Sequence, residues 1–396
     1  MRIAIWWQQE SWGGVDTHLA ALLDGWPAKG DSFTVFHNSA NPGLARIADA
    51  LRARNVKTVA MPEWLDPDAG LARRLLNRLV LPLRFGRWIR RTRRLLDAHG
   101  PFDVLLVDDG AYPGAWTGLA ALAAGHGLDL HRRMLLVHHS ATGYGFGQAL
   151  FEQLVDQGVQ RWATDLVAVS RATRASLINL RHFNTERNPI RVIHNGIRQP
   201  AEAGRDEAVR AGWGCGEKEF VVGMIGRVER YKGHEDVLLG MSEMADDVRA
   251  RIRLVVVGLG PDDELARLRR IAEGLGLAGQ LHFAGYMPQD PVFIARQFDL
   301  LAMATKDFEG FGLALAEAMA AGTPVLATSV GGIPEFVTPE VGLLVPPESP
   351  TDIARAIEDA VRNPDAAAAR AASARSHIAG FSSVAMARRF HRLLAL

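Results

Sequence analysis

The sequence predicts an α/β protein of two doubly wound domains, each a parallel sheet with helices on both faces. Three observations carry that prediction. Short apolar runs of strand length alternate with helix-period segments along the chain, as in parallel sheets buried on both faces. The pattern runs through twice, and between the two passes lies a polar, glycine-rich stretch without strand character, Gln199–Glu219, which reads as the interdomain linker. The length, 396 residues, suits two domains at roughly 100–200 residues each.

The first pass reads as strands at Arg2–Trp7, Phe33–His37, Val56–Met61, Val104–Asp108, Met134–His138, Leu166–Ser170 and Arg191–His194. Helix-period segments lie between them at Val15–Leu23, Gly43–Arg54, Gly114–Ala124 and Arg171–Leu180. The second pass has strands at Phe220–Ile225, Arg253–Val257, Gln280–Phe283, Leu300–Met303, Pro324–Thr328 and Gly342–Val345. Its helices are expected at Lys232–Met244, Asp262–Leu275, Phe311–Ala321 and Thr351–Arg362. In such sheets ligands bind outside the carboxyl ends of the strands. Two domains facing each other would put the expected site in the cleft between them.

Hydrophobic residues make up 48% and charged residues 22%, an ordinary globular composition that excludes collagen, coiled coil and general disorder. The single cysteine, Cys215, excludes an internal disulfide and a cysteine-based metal cluster, and points to a reducing, cytoplasmic compartment. The first residues lack the pattern of a signal peptide. No transmembrane helix is expected, since glycines and His126 interrupt the most apolar stretch, Ala111–Leu128. The net charge of +1 conceals a split: residues 1–200 carry 24 Lys+Arg against 17 Asp+Glu, and the rest 21 against 27.

Four strand-end loops carry candidate chemistry. After the strand Leu300–Met303 comes Thr305-Lys306-Asp307-Phe308-Glu309-Gly310-Phe311-Gly312-Leu313, then a helix holding Glu317 and stopped by Gly322 and Pro324. A glycine-flanked helix start offers unpaired N–H groups and a positive dipole end, suited to phosphate or a sugar hydroxyl. Glu317 sits on an otherwise apolar segment, so it must be hydrogen-bonded or face a cleft. After Phe220–Ile225 comes Gly226-Arg227-Val228-Glu229-Arg230-Tyr231-Lys232-Gly233. Lysine is scarce here, five against forty arginines, and Arg227 with Lys232 could neutralise a diphosphate in two different geometries. Trp12-Gly13-Gly14-Val15-Asp16-Thr17-His18 follows the first strand. It is not G-x-G-x-x-G, which disfavours a dehydrogenase. His138 and His139 end another strand and could bond a substrate or cap the strand. No clustered His/Asp/Glu set stands at ligand spacing, so no metal site is expected.

In this order the motifs resemble the retaining GT-B glycosyltransferases of family four, which use activated sugars. The resemblance runs from Gly13-Gly14-x3-His18 through Val167-Ala168-Val169-Ser170, Val192-Ile193-His194-Asn195-Gly196, Gly226-Arg227-x4-Lys232-Gly233 and Val255-Val256-Val257-Gly258-x-Gly260. It ends with the glutamate pair Glu309-x7-Glu317 and Gly331-Gly332-Ile333-Pro334-Glu335. One departure is Arg198, where the family often has an acid. The resemblance implies two Rossmann-like domains facing across a cleft: an acceptor-side domain over 1–198, a donor-binding domain over 199–378, and a segment 379–396 crossing back, its helix at about Ser382–Leu396. It implies that Arg227 and Lys232 hold the donor diphosphate and that Gly14 approaches it through its backbone. Glu317 would bond the ribose, and Glu309 with the backbone of Gly310, Phe311, Gly312 and Leu313 would contact the donor sugar. His138 would lie near the anomeric carbon, with His139 the alternative in that register. Asp16, His18 and His139 are expected on the acceptor side, and Tyr286 and Met287, from their place after the strand Gln280–Phe283, are expected to line the base pocket. The implied reaction moves a sugar from a UDP- or GDP-sugar to a glycan, lipid-linked or other hydroxyl acceptor, without metal or other cofactor, in cell-surface polysaccharide or glycolipid synthesis. The rivals are a GT-B epimerase or phosphorylase, and a non-catalytic sugar-nucleotide-binding subunit.

Nine arginines and no acid fall within Leu71–Arg94, among Leu, Val, Phe and Trp. A basic amphipathic segment of this kind reads as a membrane-surface element, on the anionic inner face of the plasma membrane. Pro82 and Gly86 are expected to divide it into two helical pieces. An anionic acceptor site and a solvated helix face are the alternatives. Nucleic acid is not expected, since no recognition fold accompanies the patch.

Overall fold

The computed structural model describes residues 1–9, 13–39, 41, 43–61, 80–114, 116–145, 147–198, 204–216 and 218–395. The chain forms two compact units, Met1–Gly196 with Ser383–Leu396, and Ile197–Ser382. The sequence-based borders, 198/199 and 378/379, differ from these by two and four residues.

Unit 1 runs β1 (Arg2–Trp7), α1 (Gly14–Gly25), β2 (Ser32–Asn38), α2 (Ala48–Ala53), β3 (Lys57–Met61), α3 (Leu81–His99), β4 (Val104–Asp109), α4 (Trp116–His126), β5 (Arg132–Val137), α5 (Ala149–Trp162), β6 (Asp165–Ala168), α6 (Arg171–Arg181) and β7 (Ile190–Val192). Its seven strands are all parallel, in the order β3-β2-β1-β4-β5-β6-β7. Ile3 to Trp7 are all buried, which explains why β1 is apolar throughout rather than alternating. The order reverses between β1 and β4; the glycine loop follows β1 at this switch point, and His138 and His139 follow β5, the strand next to β4. Ser170 caps α6, its Oγ accepting from Thr173 N at 3.0 Å, which is the physical content of Val-Ala-Val-Ser before a helix.

Unit 2 runs α7 (Glu207–Gly212), β8 (Phe220–Ile225), α8 (His234–Glu243), α9 (Asp246–Arg249), β9 (Ile252–Val257), α10 (Asp262–Gly274), β10 (Leu281–Gly285), α11 (Pro291–Arg296), β11 (Leu300–Met303), α12 (Leu313–Ala321), β12 (Val325–Thr328), β13 (Leu343–Val345), α13 (Pro350–Arg362) and α14 (Pro364–Ile378). Its six strands are parallel, in the order β10-β9-β8-β11-β12-β13, with the reversal between β8 and β11. The last helix, α15 (Ser383–Ala395), belongs to unit 1. It packs on α1 so closely that a Cβ on Gly25 would stand 2.4 Å from Ser383 O.

Two sequence expectations change. The arginine-rich segment is not divided at Gly86: from Leu81 on it is one 19-residue helix, α3. Pro82 lies in its first turn, where its missing N–H is not needed. Leu81, Phe85, Trp88, Thr92 and Leu96 form one buried stripe along it, and that packing carries the helix through Gly86. The part Leu71–Leu79 lies outside the described residues. The expected linker is also structured from 204 on. Asp206 caps α7, its carboxylate accepting from Ala208 N at 2.9 Å, and the buried Trp213 stacks on Phe298 at 5.3 Å. A short helix between glycines has too few periods to be read from pattern.

Candidate active site

In unit 2 the candidate groups gather at the β8/β11 switch point. The loop after β8 ends in a single 3₁₀ turn, Arg230–Lys232, closed by Gly233 at φ 73°. A Cβ there would stand 1.8 Å from Ala304 O, so this position takes only glycine. The close approach locks the loop to the one after β11, and Lys306 N donates to Tyr231 O at 2.7 Å across the same seam. Gly331 does the same on the other side: its Cβ position lies 2.1 Å from Glu309 O, and Gly332 N donates to that oxygen at 2.8 Å.

These constraints set the side chains. Lys232 Nζ donates to Glu309 Oε2 at 2.7 Å, both partly buried. Burial works against the Lys232 ammonium, but Glu309 outweighs it and holds the pKa above its usual value. Arg227 is half-exposed, with Nη1 2.9 Å from Glu229 Oε1 and Nη2 3.3 Å from Tyr231 OH. Gly312, at φ 94°, opens α12, so the first N–H groups of that helix have no intrahelical partners. The Phe311 ring is buried and stacked on Phe336 at 4.6 Å, so it anchors the loop in the core. Glu317 is buried one turn into α12. Burial, and then Asp290, push its pKa up to about 8, so at neutral pH it is protonated and can donate as well as accept. Tyr286 and Met287 follow the edge strand β10, the first exposed and the second half-buried.

In unit 1, Gly13 precedes α1 in an extended conformation, and a Cβ built on it would meet nothing within 4 Å. The space over Gly13 is therefore open, as a close backbone approach to a ligand requires. Gly13 N donates to Asp16 Oδ2 at 2.6 Å. Asp16 is fully buried, and burial raises its pKa to about 7 against the stabilising Gly13 N–H. His18 is also buried. Both were expected on the acceptor side. The helix turns both inward, where Asp16 braces the glycine loop and His18 joins an internal cluster.

That cluster is the main addition to the sequence-derived set. His138 Nε2 lies 2.7 Å from Asp108 Oδ1, and His18 Nδ1 lies 3.7 Å from Asp108 Oδ2. The two imidazoles meet edge to face at 4.6 Å. Burial disfavours an ionised Asp108, but the two histidines outweigh it and hold the carboxyl at about 2. Burial holds the His138 imidazole below its usual pKa. His139 points elsewhere, its Nδ1 3.2 Å from Ser140 Oγ, so the two adjacent histidines are distinct. The absence of a clustered His/Asp/Glu set, expected from spacing, is corrected here: His18, Asp108 and His138 each bring one ligand-type atom within 4.8 Å of the others. Asp108 was assigned no role in the sequence. Its only signal there was an acid closing an apolar strand.

Two family models match the chain: "Glycosyltransferase Family 4" over residues 12–199 and "Glycosyl transferases group 1" over 206–377. The D-inositol 3-phosphate glycosyltransferase of Rhodococcus opacus is 35% identical over 223 residues, covering 54% of this chain and 49% of that one. In that match the chain spans about half the length of its relative. The D-inositol 3-phosphate glycosyltransferase 1 of Catenulispora acidiphila is 27% identical over 388 residues, covering 93% and 87%. The fold is similar to that of the Anabaena protein HepE, solved with UDP (TM-score 0.76, 19% identity, 100% of each chain) and with UDP-glucose (TM-score 0.75, 19% identity, 100% and 99%).

Proposed function

The chain belongs to the GT-B glycosyltransferases of family 4 type, and from that premise we propose that it is a retaining transferase. It moves a sugar from a nucleoside-diphosphate donor to a hydroxyl of a glycan, a lipid-linked sugar or a phosphorylated polyol, in the synthesis of a cell-surface polysaccharide or glycolipid. The observation that carries this reading is the Lys232–Glu309 ion pair beside the head of α12, where the strand order of unit 2 reverses. The pair sets a cation for a diphosphate next to an acceptor for sugar hydroxyls.

Breaking the anomeric C–O bond leaves positive charge on the sugar and negative charge on the diphosphate. Arg227, Lys232 and the N–H groups that open α12 supply the positive field the leaving group needs. Glu309, with the backbone of Gly310 to Leu313, accepts from hydroxyls of the transferred sugar. Glu317 bonds the ribose, the backbone of Gly14 approaches the phosphates, and Tyr286 and Met287 flank the base. His138 contacts the sugar near its anomeric carbon. The acceptor attacks on the face from which the diphosphate leaves, so configuration is retained. Catalysis needs no metal in this scheme, because two cations and a helix dipole already meet the diphosphate.

The purified protein is assayed with UDP-glucose and GDP-mannose against a panel of glycans and D-inositol 3-phosphate. The expected result is nucleotide release that depends on an acceptor, with an α-linked product by NMR coupling at the anomeric proton. A β-linked product, or donor consumption indifferent to every acceptor, overturns the proposal.

The helix α3 supports an approach to an anionic membrane surface. It exposes Arg87, Arg90, Arg91 and Arg94 while its apolar stripe is buried, and Leu83 beside them is 75% exposed. Among the described residues no helix is long and apolar enough to cross a membrane. Cations near such a surface contribute about 1 kcal/mol each. Cosedimentation with phosphatidylserine vesicles at low salt, lost at high salt, is the expected result, and no cosedimentation at low salt refutes it.

A further inference from the structure

We infer that Asp108 is a positioning residue of the transfer reaction: it accepts the Nε2–H of His138 and so holds that imidazole with a bare Nδ1 ready to accept a hydroxyl hydrogen of the substrate. The kinetic part of this inference rests on the proposed transfer, and the geometric part stands alone.

The two side chains meet because of sheet register. In the pairing of β4 with β5, Asp108 stands opposite Leu136 and Asp109 opposite Val137, so Asp108 and His138 leave adjacent strand ends. Asp108 has no exposed side-chain surface, and its Oδ1 lies 2.7 Å from His138 Nε2. An ionised carboxylate only accepts, so Nε2 must carry the hydrogen. A neutral imidazole has a single N–H, which leaves Nδ1 as a lone pair. That Nδ1 is buried and has no hydrogen-bond partner among the described residues. Buried polar atoms are rarely left so, and an orphan at the carboxyl end of β5, next to β4, is a place for a group the chain does not supply.

His18 completes the device. Its Nδ1 stands 3.7 Å from the other oxygen, Asp108 Oδ2, and its ring meets His138 edge to face at 4.6 Å. Phe390 of α15 packs edge to face on His18 at 5.7 Å. The one hydrogen bond, from His138 Nε2 to Asp108 Oδ1, sets the tautomer, and the ring of His18 packed edge to face against His138 restricts its rotation. The pair makes and breaks no bond. It orients a hydroxyl, and its net negative charge favours the sugar as positive charge develops on it.

The test observes the imidazole nitrogens of 15N-labelled protein in long-range 15N–1H spectra, with UDP-glucose as donor in parallel kinetics. Wild-type His138 should show a protonated Nε2 and a bare Nδ1. In Asp108→Asn the side-chain amide can donate to Nε2, so the pattern should reverse. The same variant should lose about 10²-fold or more in kcat, in line with a wrong-tautomer defect in a His–Asp pair, with UDP affinity unchanged. Asp108→Glu, which keeps the carboxylate, should recover part of the rate. A protonated Nδ1 in wild-type His138 overturns the inference, and this spectrum decides even if Asp108→Asn does not fold. An unchanged His138 pattern in Asp108→Asn also overturns it, as does a stoichiometric divalent ion that is lost on His138→Ala. A wild type that turns over no donor but shows the expected tautomer defeats the proposed function and supports the geometric assignment.

Discussion

Lys232 Nζ and Glu309 Oε2 stand 2.7 Å apart although 77 residues separate them. The contact exists because the loops after β8 and β11 are stitched together at Gly233 and Ala304. The pair satisfies a partly buried ammonium, and in the proposed reaction it sets cation and carboxylate at neighbouring positions for a diphosphate sugar.

Lys232→Ala should lower kcat/KM by about 10²–10³-fold, the scale of losing one preorganised oxyanion contact. Glu309→Gln should leave nucleotide affinity nearly intact and reduce kcat, because its proposed partner is the sugar. Isothermal titration with UDP beside steady-state rates checks both. Equal loss of UDP affinity in the two variants would contradict the division of roles.

Gly233→Ala tests the stitch itself. The new methyl would lie 1.8 Å from Ala304 O at a φ of 73°, so the loop must move. Backbone strain of this kind costs of order 1–3 kcal/mol before the clash is counted. The expected outcome is a lower melting temperature together with weakened UDP binding, although residue 233 has no side chain to offer a ligand. Wild-type UDP affinity in this variant would show that the Lys232 loop does not need the stitch.

The strands were the legible part of this chain. Parallel strands buried on both faces are continuous apolar runs, so β1, β8 and β11 were found to the residue. The continuity of Leu81–His99 was not legible because Gly86 is a local signal, and the stripe of Phe85, Trp88 and Leu96 that overrides it is tertiary. Ala149–Trp162 went unread as a helix although its period is present. The Glu309–Glu317 loop was visible because its glycines and acids lie close in sequence. Asp108 and His138 were not visible as a pair, since strand register decides which distant residues become neighbours.

Trp213 was assigned to a linker, and the structure makes it part of the core of unit 2. It is 5% exposed and stacked on Phe298. Trp213→Ala should destabilise the protein by about 3–5 kcal/mol, as for a buried tryptophan. A linker residue would cost almost nothing, so chemical denaturation of the purified variant separates the two assignments.

Glu317 yields a pH dependence with a definite sign. Its folded pKa, raised to about 8, lies above the ordinary carboxyl value of about 4.3. Between these values the unfolded chain has released the proton and the folded chain has kept it. Stability then falls as pH rises, by at most about 1.4 kcal/mol per pH unit from this group. Below the unfolded pKa both states are protonated and the penalty is absent. Glu317→Gln keeps a neutral hydrogen-bonding side chain of the same shape and removes the titration. The variant should therefore match wild type near pH 4 and gain on it steadily toward pH 8, as read from paired denaturation curves. Parallel curves across that range would mean that Glu317 ionises freely in the folded protein, and its proposed role as a hydrogen-bond donor to the ribose would go with it.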